Sequence, residues 1–222
     1  ISFHFVLCMV PIEVIFKFLI VFAIAFFFYQ AKKPKVSYFF YGILFFCIAL
    51  LLQLPFKLLE YHFNQLPYLF FQVSSVVIAL LAICLSELTK YLSLKKYLRT
   101  KSLKNGIFFG LGWIGFESIS FLSITLYSVL FSIFSISFNP NYLVSPTLYL
   151  WDFVYFFVVN ATITMFVISS VIKKKKIYFF YGLFLSSLIY VVLYFIKENV
   201  YVEMLFLIYC LITLFTFNKF IR

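Results

Sequence analysis

The sequence predicts an all-α integral membrane protein with about seven transmembrane helices, an N-terminus outside and a cytoplasmic C-terminus. Hydrophobic residues make up 65% of the 222 residues and charged residues only 11%, whereas soluble domains carry about 25% charged residues. This number of polar side chains is too small to cover the surface of a water-soluble globular domain. Apolar runs of about 18 residues, the length that crosses a bilayer, recur along the chain. We therefore expect one multi-pass domain in the cell membrane.

The basic residues predict the orientation of this domain. Cytoplasmic loops are enriched in lysine and arginine, and most of the 18 basic residues fall in alternate connections and at the C-terminus. We interpret the net charge of +11 as a topology signal, so no nucleic-acid partner is expected. Contact with anionic lipid headgroups is a secondary expectation. The clusters are Lys32, Lys33 and Lys35; the run from Lys90 to Lys104; Lys173 to Lys176; and Lys219 with Arg222.

Seven apolar stretches follow one another in a single domain covering residues 1–222. The first contains Pro11, which predicts a kink, and Glu13 and Lys17, which are close enough to pair on one helix face unless Glu13 faces a partner. These charges also argue against a signal peptide. The second has Gln53 and Pro55 near its outer end. The predicted spans are residues 5–29, 37–59, 66–87, 105–132, 147–172, 177–196 and 200–218.

The later spans have more specific features. The third ends at Glu87, and the segment after it to Leu98 has the pattern of an amphipathic, surface-lying extension. The fifth carries Asn160 near its middle, which we interpret as an interhelical hydrogen-bonding residue. The polar segment 131–146 and the turn 197–199 are predicted outside. The fourth span opens with four glycines that allow close helix packing: Gly106, Gly110, Gly112 and Gly115.

Neither the cysteines nor the histidines form a pattern typical of a metal site. The four cysteines lie in apolar runs without close spacing, and the only histidines are His4 and His62. We therefore expect buried free thiols, no metal and no cofactor.

Two carboxylates stand out because a carboxylate within hydrocarbon by default indicates function. Glu117 lies roughly 18 Å into its span at 1.5 Å per residue, near the midplane, and Glu87 is predicted closer to the cytoplasmic end. Together they can orient a water molecule as general base and stabiliser. The structural alternatives are a hydrogen-bonded Glu117 that holds helices together and a Glu87 that pairs with Lys90 one turn later.

The motifs around these carboxylates resemble a known family. Ser86-Glu87-Leu88-Thr89-Lys90 is followed by a basic loop and by Gly110-Leu111-Gly112-Trp113-Ile114-Gly115-Phe116-Glu117. This order is similar to that of the YhfC-type intramembrane proteases, relatives of the PrsW and CPBP (CAAX-processing) glutamic proteases. Those proteins carry Glu-Glu-x-x-Arg and then Gly-x-Gly-His-Gly-Gly-x-Glu. The resemblance covers roughly residues 10–196 and implies a protease-like helical bundle.

Departures from the family pattern predict that catalysis is degenerate. Ser86 replaces the first motif glutamate and Trp113 the motif histidine, while Asn160 and either Ser186 or Ser187 stand where the family has later histidines. The resemblance therefore implies a binding, scaffold or accessory subunit of a membrane-protein complex, with membrane lipids as further partners. The alternative is an active glutamic protease that uses Glu87, Glu117 and Asn160, since asparagine can donate to an oxyanion. A small transporter ranks last because polar residues are not spread over several spans.

Overall fold

The computed structural model describes residues 3–64, 69–97, 102–117, 150–196 and 200–221, which form seven α-helices and no strand. The predicted all-α class is confirmed for these residues. The continuation of the fourth span to residue 132, the segment 131–146, the turn 197–199 and the Glu13–Lys17 pair lie outside the residues and side chains described. The helices are α1 (Phe3–Lys32), α2 (Ser37–Asn64), α3 (Leu69–Tyr97), α4 (Leu103–Glu117), α5 (Leu150–Ile172), α6 (Lys176–Ile196) and α7 (Val200–Ile221).

Three of the described helices are long and apolar enough to cross a membrane. The qualifying segments are Ser37–Glu60 of α2, Val73–Tyr97 of α3 and Val154–Ile172 of α5. Shorter apolar stretches lie in α1, α6 and α7. Length and composition therefore indicate a membrane protein.

The helical extension of the third span, predicted as far as Leu98, is present, because α3 continues without a break to Tyr97. The part after Glu87 was expected to lie on the membrane surface. Instead, Lys90 and Leu94 are fully buried, and the Tyr38 hydroxyl donates a hydrogen bond of 3.1 Å to the Tyr97 carbonyl oxygen. The prediction ended the span at its first charge, but an ion pair within the helix allows the charged turn to be buried.

Helix α4 packs against α1, α2 and α5. Its backbone approaches α2 most closely at Gly112, where an added Cβ would overlap the carbonyl oxygen of Phe39. The contact is reciprocal, because a Cβ on Gly42 of α2 would overlap the carbonyl oxygen of Phe109. Two helix backbones at this separation leave no room for any side chain.

The other glycines of α4 face different neighbours. A Cβ on Gly110 would lie 2.8 Å from the Thr164 Cγ2 atom of α5, and one on Gly115 would overlap the Val21 side chain of α1. Gly106 is buried near the start of the helix. The glycine-rich stretch therefore allows α1, α2 and α5 to pack close to α4.

Hydrogen bonds at the two ends of α2 show how the helices run. At its start, the Lys35 amide donates to the Asn105 Oδ1 atom at 3.0 Å, so the beginnings of α2 and α4 lie at the same end of the bundle. At the opposite end, the Tyr190 hydroxyl of α6 donates to the Glu60 Oε1 atom at 3.0 Å. Lys57 also pairs with Glu60 at 2.7 Å. Helices α2 and α4 are therefore parallel, and Lys35 and Lys104 lie at their shared starting end.

Candidate functional site: a buried cluster of two glutamates, a lysine and a tryptophan

The cluster begins with an ion pair inside α3. The Lys90 Nζ atom lies 2.9 Å from the Glu87 Oε1 atom, and both side chains are almost completely buried. The spacing of three residues places them one turn apart on the same helix face. The pair expected as the structural alternative for Glu87 is therefore present. Removing one member would leave an uncompensated charge in the interior, which is more costly than losing both.

Trp113 of α4 connects this pair to the second glutamate. Its side chain is fully buried, and the Lys90 Nζ atom lies 5.1 Å from the centre of the indole ring, within cation–π range. The indole N–H donates a hydrogen bond of 3.1 Å to the Glu117 Oε2 atom one turn later on α4. Phe46 and Phe109 pack against the ring, with centroid separations of 5.8 and 6.2 Å. Trp113 therefore connects the Glu87–Lys90 pair to Glu117.

The cluster lies well inside the bundle. Glu87 is ten residues before the end of α3 at Tyr97, and Trp113 is ten residues after the start of α4 at Leu103. At 1.5 Å per residue, each is roughly 15 Å from the end of its helix. Glu87 and Trp113 therefore lie at similar distances from these helix ends.

One oxygen of the cluster has no partner among the described residues. The Glu87 Oε2 atom is buried and accepts no hydrogen bond within them. Buried carboxylate oxygens are normally hydrogen-bonded, so each exception needs an explanation. The cluster thus contains one carboxylate paired with the Lys90 ammonium group and a second that accepts the indole hydrogen bond, with one oxygen of Glu87 available to a donor.

The structure brings together only some of the residues singled out from the sequence. Ser86 is buried beside Glu87 on α3. Asn160 of α5 and Ser186 and Ser187 of α6 are half-buried, and within the described parts of the chain no hydrogen bond joins them to Glu87 or Glu117.

Thr164 was not among the site candidates, and it is one of the α5 residues that contact the glycine-rich helix. Its methyl group faces Gly110, and its Oγ1 atom is buried without a hydrogen-bond partner in the parts of the chain that are described. It lies one helical turn after Asn160. The only available signal was the polar spacing of three to four residues along an otherwise apolar run.

The comparisons with known proteins were negative: no family model, curated protein or solved structure matched this chain.

Proposed function

We propose that this chain is a non-catalytic, multi-pass membrane protein that serves as a binding or accessory subunit of a membrane-protein complex. In this proposal the bundle is a degenerate relative of the YhfC-type intramembrane proteases, with about seven spans and a cytoplasmic C-terminus. The observation that carries the proposal is the position of Trp113, fully buried against Lys90 and hydrogen-bonded to Glu117.

Hydrolysis requires a base that is free to activate a water molecule. A general base must be within about 2.6–3.2 Å of the water that it deprotonates. In this cluster one oxygen of Glu87 binds the Lys90 ammonium group, one oxygen of Glu117 accepts from the indole N–H, and the indole ring lies against that ammonium group. These contacts stabilise helix packing and use the groups that a protease would keep for water and substrate.

The histidine content supports the same conclusion. Both histidines of the chain are far from the cluster in sequence, and His62 is exposed near the end of α2 opposite the lysine-rich connections. An indole can donate one hydrogen bond but cannot accept a proton as an imidazole can. A buried polar cluster that has an indole in place of an imidazole is better suited to binding than to hydrolysis.

The topology in this proposal is supported by helix lengths and by charge. Three helices are long enough to span, and three more contain shorter apolar stretches. The lysine-rich connections gather at one end of α2 and α4, as the positive-inside rule requires of a cytoplasmic face.

An active glutamic protease is the second candidate, and the free Glu87 Oε2 atom favours it. This buried oxygen has no partner in the described residues and is able to accept a hydrogen bond from a water molecule. Under this alternative, Glu87 activates the water and Glu117 stabilises the developing charge.

Purification of the tagged protein from its native membrane in a gentle detergent, followed by mass spectrometry, distinguishes the two candidates. Parent, Glu87→Gln and Glu117→Gln proteins are compared. Glu60→Gln is the matched control, because it makes the same chemical change at the other end of the bundle. A stoichiometric set of partners that persists in all variants is the expected result. Accumulation of an uncleaved membrane protein in Glu87→Gln and Glu117→Gln cells, but not in Glu60→Gln cells, would establish the protease instead.

A further inference from the structure

Two groups of lysines lie side by side where α3 ends and α6 begins. The Tyr91 ring of α3 packs against the Phe179 ring of α6 with a centroid separation of 4.9 Å, and the two helices are in contact. The last turn of α3 therefore lies beside the connection between α5 and α6. We call the exposed lysines of these two segments the α3–α6 lysine cluster: Lys95, Lys96, Lys174, Lys175 and Lys176.

This cluster has no carboxylate to balance its charge. The sequence contains no aspartate or glutamate from residue 88 to 116 or from residue 153 to 197. In the structure, Lys57 and Lys90 have glutamate partners, whereas none of the five lysines pairs with a carboxylate among the described residues. The Lys95 and Lys96 Nζ atoms instead lie 6.0 and 5.4 Å from tyrosine ring centres. An exposed group of this charge attracts an external anion.

Exposed apolar side chains continue from the lysines along both helices. On α3, Leu88 and Leu92 precede Lys95 and Lys96 at helical spacing, and both leucines are exposed. On α6, three exposed side chains at similar spacing follow Lys176, namely Ile177, Phe180 and Phe184. Each helix therefore presents an apolar stripe that ends in lysines.

We propose that the α3–α6 lysine cluster binds the phosphodiester headgroup of an anionic membrane phospholipid, whose acyl chains lie along the adjacent apolar stripes. The lysines match the charge of the phosphate, and the stripes distinguish a lipid from a soluble anion. Tyrosines at this level are typical of side chains at the boundary between hydrocarbon and headgroups. This proposal is independent of whether the chain is a subunit or a protease.

The test measures thermal unfolding of the purified full chain in a neutral detergent with added lipid. Phosphatidylglycerol is the anionic probe, phosphatidylcholine is the zwitterionic control, and inorganic phosphate tests a soluble anion. We expect a concentration-dependent rise in the unfolding midpoint with phosphatidylglycerol alone. An equal rise with phosphatidylcholine would refute the charge argument, and an equal rise with inorganic phosphate would refute the lipid assignment.

Two double variants test the location of the site. Lys95→Gln with Lys96→Gln should weaken the apparent phosphatidylglycerol affinity at least about tenfold, since juxtamembrane lysines each contribute substantially to anionic-lipid binding. Lys32→Gln with Lys33→Gln removes the same charge from the connection between α1 and α2 and should change the affinity less than about threefold. Equal losses in both variants would overturn the proposed site.

A third double variant distinguishes loss of charge from misfolding. Lys95→Arg with Lys96→Arg keeps both charges and should retain phosphatidylglycerol binding, measured directly with a fluorescent phosphatidylglycerol analogue. Loss of binding in a folded arginine variant would contradict a site that depends on positive charge.

Discussion

Replacing Gly112 with alanine tests the close approach of α2 and α4. The new Cβ would overlap the carbonyl oxygen of Phe39, which is a backbone atom of α2 and cannot rotate away. The two helices would have to separate, and the Phe46 contact with Trp113 lies in the same interface. The substitution therefore changes the packing on which the buried cluster depends.

The expected magnitude follows from two opposing effects. In an unconstrained helix, alanine is more favourable than glycine by about 1 kcal/mol. Overpacking a tight interface costs about 1–3 kcal/mol. Because the clash involves backbone rather than a flexible side chain, we expect the upper part of that range and a net loss of about 1–2 kcal/mol in the free energy of unfolding.

The measurement is denaturant or thermal unfolding of the purified protein in mild detergent. Gly182→Ala is the matched control, since a Cβ there would lie 3.3 Å from both the Ile163 carbonyl oxygen and the Phe166 Cβ atom. Small shifts accommodate such contacts, so its stability should stay near that of the parent. A Gly112→Ala protein as stable as Gly182→Ala would refute the close-packing argument.

Further substitutions address the cluster and the lysine-rich connections. Trp113→Phe removes the donor to Glu117 and some packed volume, so unfolding experiments should show a loss of about 2 kcal/mol; an unchanged stability would contradict this hydrogen bond. Lys90→Met leaves the buried Glu87 charge without a partner and should lower the free energy of unfolding by about 3–5 kcal/mol. Adding Glu87→Leu should restore most of this stability, and no restoration would mean that the pair is not an isolated ionic unit. Lys174→Gly places glycine at a left-handed backbone position with φ of 56° and should stabilise the protein by about 1 kcal/mol. It should also reduce the rise in the unfolding midpoint on addition of phosphatidylglycerol. A loss of stability would show that the Lys174 side chain contributes more than its backbone strain costs.

The sequence was informative about which segments are helical and apolar, because the length of an apolar run and the positions of lysines can be read from local composition. It was less informative about which turns of a helix are buried and where helices end. The extension of α3 beyond Glu87 was predicted to lie on the membrane surface, whereas Lys90 is buried there because it pairs with Glu87 within the helix. Helix α2 continues to Asn64, beyond the predicted span end at residue 59.

The candidate site shows the same division between local and long-range information. The Glu87–Lys90 and Trp113–Glu117 contacts lie within single helices, so their spacing made them predictable. The position of Lys90 over the Trp113 ring depends on how α3 and α4 pack around α2. Residue spacing within a single helix does not carry this information. Asn160 was selected by analogy with a family motif and has no hydrogen bond to either carboxylate within the described residues.

The ion pair of α3 has a consequence for biosynthesis in the membrane topology that we propose. A single charged residue at the centre of an inserting helix costs about 2.5–3.5 kcal/mol on translocon scales. Glu87 and Lys90 are in the same helix, so α3 supplies its own countercharge as soon as it is helical. Trp113 and Glu117 are synthesised later, and α4 then meets a surface that is already neutralised. The nascent chain can thus release α3 into lipid before the ribosome has completed the rest of the cluster.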